Sequence, residues 1–383
     1  MYESRMPVPA IGLRLAISSV AFAMFAMTVP SGAFGQSGPV TASFDAVPDP
    51  GEEEEREFGF REGGIVAAPI LFEEPTVGTG LALGAGYLFQ SDADSSTSFI
   101  GLGGFRTSNG SAGFALGSSL YFDENRWKLK FLAGAADVFY DLYLFGVPVP
   151  LRQEGTIAKI DAAYGFTSDV SLGLGFQVLD TTVKIDGPGV LPPALVPNAN
   201  LNLGKVTLAF DWDRRDDSLF PLKGSNLSVD VGFGETVDLG GFDYQKAVIT
   251  FDQFIPVRED DVLAFRLAGC GATEDAPFFD ACSLGGTDSF RGFPSTRFIG
   301  SELASFQIAY RGRLTDRLGY EVFAGAGEVF NRFGSETDTN LRKAAGIGGR
   351  FRLSRKFPFD YSVDVSYNDE SEALLYVYVG QRF

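Results

Sequence analysis

The residue that offers chemistry most plainly is a single arginine. Arg291 lies between two aromatic rings in Phe290-Arg291-Gly292-Phe293, within the run 284–294 that joins two alternating segments, 262–269 and 304–311. Gly285 and Gly286 allow tight turns there, and Pro294 fixes another. This arrangement suits a loop folded back into a pore with the guanidinium at its tip. A Gly-rich surface turn is the plainer alternative. Inside a pore Arg291 must meet a carboxylate or several acceptors, because an unpaired buried cation is costly. The chemistry open to it is charge pairing.

Catalytic chemistry is harder to assemble. The 383 residues contain no histidine, so no Ser-His-Asp triad, Cys-His pair or His-ligated zinc site can be built. Ser-Lys or carboxylate-only catalysis is arithmetically open, but no residues mark a site for it. The chain is therefore read as no enzyme, with no catalytic residue, metal site or cofactor. A formal charge of −18 argues against a nucleic-acid partner, which requires a basic stripe.

The elements that must position Arg291 begin after an export signal. Arg5 and Arg14 supply a basic start, 15–29 is an apolar run, and Ala33-Phe34-Gly35 offers small residues for cleavage. Residues 1–35 are thus expected to be a removed signal peptide, with a retained anchor as the alternative. Residues 36–62 carry Pro39, Pro48, Pro50 and the block Glu52-Glu53-Glu54-Glu55, the marks of an acidic, disordered periplasmic linker. In the oxidising compartment beyond the inner membrane, Cys270 and Cys282 are expected to pair and close a small loop, free thiols being the alternative.

Residues 63–383 read as a transmembrane β-barrel. With 47 glycines and 37 phenylalanines, large groups alternate with small ones. Val170, Leu172, Leu174, Phe176 and Val178 alternate with Ser171, Gly173, Gly175 and Gln177, and 227–233, 263–267 and 357–367 repeat the pattern. Period two over about ten residues, one face apolar and the other polar or tiny, is the mark of a membrane-spanning strand. A soluble β-sandwich is the competing fold. The pattern yields an all-β, antiparallel barrel of about sixteen strands, an even number as closure demands. Short turns are expected near 167–168, 316–317 and 354–356, and long outer loops at 138–152, 183–200, 274–298 and 331–340. The apolar stretch 139–151 is expected to cover the pore, touch lipopolysaccharide or pack on itself. Lumen-facing charges are expected at Lys205, Asp211, Asp213, Asp230, Asp252, Arg266, Arg311, Glu321, Arg350, Arg352 and Asp364, where ion pairs across a wet lumen are the plain reading.

Three motifs carry a family resemblance over 63–383. Phe290-Arg291-Gly292-Phe293 resembles the loop-tip motif of the bacterial surface antigen family. The run 213–224, with Asp213, Arg215, Asp216, Pro221 and Gly224, is similar to that family's periplasmic turn. The ending Tyr378-Val379-Gly380-Gln381-Arg382-Phe383 resembles its final strand, in which Tyr378, Gly380 and Phe383 would form the assembly signal. The resemblance implies a lumen arginine locked to an acid on a neighbouring strand. The family's acid position holds Gly325 here, leaving Glu321, two residues away, and Asp364 as possible partners, and Gln307 stands where a further acid is common. The family's periplasmic domains ahead of the barrel, usually called POTRA domains, are expected to be missing.

The function implied is to assist proteins, or lipids, to enter or cross the outer membrane of a Gram-negative cell through a weak junction of first and last strands. Gly63, Gly64 and Pro69 in the first strand favour such a junction. A passive solute pore and a structural or adhesive surface barrel are the alternatives. The expected partners are outer-membrane lipid and lipopolysaccharide, the barrel-assembly machinery for its own insertion, client proteins, and a separately encoded periplasmic partner.

Overall fold

Period-two alternation produces a sheet that closes on itself. The structure, a computed structural model, describes residues 59–93, 95–144, 146–186, 199–217, 220–236, 242–258, 260–285, 290–332, 341–352 and 360–379. The expected export signal, most of the expected linker, the prolines of 188–197, and Gly380 and Phe383 therefore lie outside the described residues. In chain order the strands are β1 (Gly64–Glu74), β2 (Gly78–Phe89), β3 (Ser98–Thr107), β4 (Ala112–Phe122), β5 (Trp127–Leu144), β6 (Val147–Gly165), β7 (Val170–Ile185), β8 (Ala199–Asp213) and β9 (Gly224–Thr236). They continue as β10 (Phe242–Pro256), β11 (Val262–Ala272), β12 (Cys282–Leu284), β13 (Phe298–Arg313), β14 (Leu318–Arg332), β15 (Arg342–Arg352), β16 (Asp360–Asn368) and β17 (Ala373–Val379).

Sixteen of these 17 strands form the wall, a closed antiparallel barrel. β11 pairs directly with β13, and β1 pairs with both β2 and β17. The short β12 adds to the upper end of β13 from within the loop, Cys282 opposite Gly300 and Leu284 opposite Phe298. Residues 274–298, expected as loop alone, thus contain a strand of their own.

The faces follow from the alternation. Leu102 and Phe114 are 67% and 65% exposed on the outside, whereas Asp364, Ser362 and Ser366 on β16 are wholly buried inside. An apolar outer belt over a polar interior suits strands bathed in lipid, where every backbone group must be paired within the barrel. No helix among the described residues is long and apolar enough to cross a membrane, which says nothing against crossing by strands.

Two expected features differ. The stretch 138–152 is not a loop, because β5 runs on to Leu144 and β6 begins at Val147, the two paired up to those residues. At about 3.3 Å per residue these strands of 18 and 19 residues far exceed the roughly 10 needed to span. The extension persists because Val138, Tyr140, Leu142 and Leu151 face inward and pack with Ala276, Phe278 and Ala281 of the lumen loop. The stretch thus packs both on itself and on the lumen loop. At the other end, residues 59–62 are not free linker: Phe60–Glu62 forms one 3-10 turn, with the Phe60 ring 5.1 Å from Tyr87 and 5.0 Å from Phe89.

Closure is uneven around the wall. The β1–β2 ladder has 11 residue pairs and the β16–β17 ladder 7. Between β1 and β17 the described residues make one, Glu73 with Val377. The Tyr361 hydroxyl adds a hydrogen bond to the Leu71 carbonyl at 2.8 Å.

Candidate functional site

The loop between β11 and β13 turns into the lumen and is fastened in two places. At its first fastening, Cys270 at the top of β11 forms a disulfide with Cys282, their Cα atoms 5.7 Å apart. The bridged segment carries Asp280 to the inner face of β8 and β10, the latter the direct neighbour of β11. There the Asp280 carboxylate takes hydrogen bonds from Lys205, from Lys246 at 3.1 Å and from the Tyr244 hydroxyl at 2.6 Å. Burial works to raise the Asp280 pKa, but the two lysines outweigh it and hold the carboxyl well below its ordinary value.

The second fastening is Arg291. Its Nη1 donates to Glu321 Oε1 at 2.6 Å and to Asp364 Oδ2 at 2.8 Å. Arg350 completes the group from β15: its Nη1 pairs with Asp364 Oδ1, and its Nη2 lies 2.8 Å from Glu321 Oε2, though not aligned as a hydrogen bond. Two guanidiniums and two carboxylates thus alternate in a closed ring with no net charge, all four side chains buried. Tyr378 donates to Asp364 Oδ2 at 2.7 Å, and the Arg291 guanidinium lies over the Phe323 ring at 3.8 Å. Such a ring is stable only while complete, since each member neutralises two neighbours out of water's reach.

The rest of the motif seats the arginine. Phe290 and Phe293 stack at 6.0 Å, and Phe293 meets Phe298 edge-on at 5.0 Å. The Gly292 N–H donates to the Tyr376 hydroxyl at 3.0 Å, and Asn368 Nδ2 donates to the Gly292 carbonyl at 2.9 Å. Gly325 is where the Phe290 ring rests. A Cβ there would lie 2.7 Å from Phe290 Cε2 and 2.9 Å from Gln307 Cγ. The position that carries an acid in the resembling family is therefore occupied by a ring, and the carboxylates come instead from Glu321 and Asp364. Gln307 accepts from the Arg291 backbone N–H at 3.3 Å.

The turn motif builds a second group at the opposite end. Asp213 and Arg215 form a two-pronged pair at 2.8 and 2.7 Å, and Asp216 Oδ1 accepts from the backbone of Leu222 and Lys223 at 3.0 and 3.1 Å. Gly224 has φ +103, and a side chain there would strike the Arg214 carbonyl at 2.1 Å. Pro221 accepts from Arg311 through its carbonyl. Phe220 reaches among three guanidiniums, with Arg311 at 5.0 Å, Arg313 at 4.6 Å and Arg352 at 5.2 Å from its centroid. Stacking of this kind is favourable where water is excluded.

The sequence reading placed Arg291, Glu321 and Asp364 as candidates, and the fold brings them together. Arg350 stood only among the lumen charges, and Tyr376, Asn368 and the Asp280 clamp were missed. Tyr378, expected to serve as part of a terminal assembly signal, turns its hydroxyl onto the arginine ring. Strand parity was the usable signal for it, because Tyr376 and Tyr378 lie opposite Asp364 and Ser362 on the buried side of β16.

Residues 82–383 match the Omp85 superfamily domain. No curated protein matches the chain in sequence. The barrel is similar in fold to BamA from Haemophilus ducreyi lacking POTRA domains 1–3, with a TM-score of 0.58 and 15% identity over 83% of this chain and 70% of that one. CdiB from Acinetobacter baumannii gives 0.54 and 10% over 83% and 59%, and CdiB from Escherichia coli 0.55 and 13% over 82% and 62%. The chain spans less than two thirds of either CdiB, and at these identities the likeness is one of fold. The domain match covers most of the chain and agrees with the closed 16-strand wall: this is an outer-membrane β-barrel that belongs to the Omp85 superfamily.

Proposed function

We propose that this barrel assists proteins, and lipids as a second client class, to insert into or cross the outer membrane by opening between β1 and β17. One observation carries the reading: among the described residues that junction has a single ladder pair, against 11 and 7 on its two sides. A strand edge that is nearly unpaired is a template for another strand. Pro69 adds to this, since a proline in β1 has no N–H to donate. In this reading residues 1–35 direct export and are removed, and the acidic segment after them stays in the periplasm. Client proteins and a periplasmic partner would approach from that side, with lipid and lipopolysaccharide around the wall and the cell's barrel-assembly machinery placing it there. No step requires catalysis.

The test is the folding rate of an unfolded, unrelated barrel protein added to liposomes with and without this protein embedded. Clear acceleration is expected. No acceleration, with the embedded protein verified as folded, removes the proposal for the barrel alone and favours a passive pore. A pore should show steady ion conductance that rises when Arg291→Ala loosens the loop.

A further inference from the structure

We propose that residues 295–297 of the lumen loop are a clasp that holds the β1/β17 junction shut from its loop-side end. The inference rests on the reading of that junction as the part that opens, and deepens it by naming what must let go. On the β1 side, the 75–77 turn presents Thr76. The Ser295 N–H donates to Thr76 Oγ1 at 3.2 Å, and the two hydroxyls lie 3.1 Å apart. Thr76 is itself held by Glu74, whose carboxylate accepts from its N–H at 2.8 Å and its hydroxyl at 3.2 Å. On the β17 side, the 369–372 turn presents two acids. Arg297 pairs with Glu372 at 2.8 Å and with Glu370, and Glu370 is braced by Arg342 at 3.1 Å.

The first and third of three consecutive loop positions thus touch the turns on both sides of a junction whose own ladder has one pair among the described residues. The middle position is fixed as well. The Thr296 carbonyl accepts from Tyr143 N–H at 3.4 Å, and the Arg297 guanidinium lies over the Tyr143 ring at 4.8 Å. The clasp hangs from the Arg291 ring a few residues earlier, so a loop seated at Arg291 delivers Ser295 and Arg297 to the junction. Its two ends differ in strength. Charge-assisted pairs hold β17, and neutral hydroxyl bonds hold β1, so the Thr76 end is the one that releases first.

Backbone hydrogen exchange reads junction opening directly, because amides exchange through local opening. It would be measured on the full-length protein in lipid vesicles for residues 70–74 and 374–378, with β9 and β10 as internal references. Arg297→Gln and Thr76→Val are each expected to raise exchange about fivefold at the junction alone, the size that a half-exposed pair or single hydrogen bond supports. Arg152→Gln, which breaks the pair with Asp137 in the β5–β6 hairpin, is expected to leave the junction unchanged. High salt should mimic Arg297→Gln and not Thr76→Val. Unchanged junction exchange in either clasp variant, in protein verified as folded, overturns the clasp, which requires both ends. Client folding rates on the same samples separate the two claims. Faster exchange with no change in client handling leaves the clasp standing and removes the transport reading.

Discussion

Arg291 is worth most as a member of a ring, and its removal should cost accordingly. Arg291→Gln leaves Glu321 and Asp364 buried with Arg350 as their remaining ring cation, and about 3–5 kcal/mol of destabilisation is expected. Arg291→Lys keeps the charge but loses the planar fork, so a smaller loss is expected. Urea unfolding midpoints in vesicles measure both. Gly325→Asp would restore the acid of the resembling family, yet it should destabilise by about 1–3 kcal/mol because the Phe290 ring already fills the position. An unchanged or raised midpoint would show that the ring can step aside. Asp280 supplies the pH dependence. Its folded pKa is depressed, so its contribution is fully present above the ordinary carboxylate value near 3.8 and is lost as pH falls through the folded value. Loop stability, followed by protease nicking, should stay flat from neutral pH down to that value and weaken only below it. Asp280→Asn should remove that acid-induced weakening.

Strands were legible wherever the alternation faced lipid on one side and small or polar groups on the other. The extension of β5 and β6 was not, although Val138, Tyr140 and Leu142 keep the period. Phe139, Leu144, Val147 and Val149 beside them made the stretch read as an unusually apolar loop, and what pins it as a hairpin is residues 276–281, more than a hundred positions away. Leu142→Asp places a carboxylate into that packing. It should destabilise the cover by about 1–3 kcal/mol and raise protease nicking at 273–281 while the barrel stays closed. Barrel unfolding together with nicking would show instead that the hairpin supports the wall itself. The short β12 was invisible for a similar reason, since three residues carry no period and only the edge of β13 makes them a strand.

At the scale of the whole molecule, the proposed function rests on the junction of β1 with β17. Glu73 and Val377 face each other across it, so Glu73→Cys with Val377→Cys can be oxidised into a bond that prevents opening. Client folding by the oxidised protein is expected to fall to the level of empty liposomes and to return on mild reduction that spares the buried Cys270–Cys282 bridge. Unchanged activity after verified cross-linking would sink the opening model while leaving the fold untouched.

The sequence by itself determined the class of fold, because strand parity is a local property: each residue's face follows from its neighbours two positions away. It also excluded histidine-dependent chemistry, through the lack of histidine, and picked out which arginine to watch, through the rings that flank it. Only the tertiary structure decided the partners. Glu321 and Asp364 share parity with many lumen acids, and nothing local distinguishes Asp364 from Asp252, which pairs with Arg266 instead. The choice depends on how deep the loop descends and on the Phe290 ring taking the space over Gly325. Those are distances between segments far apart in the chain, fixed only when the barrel closes around the loop.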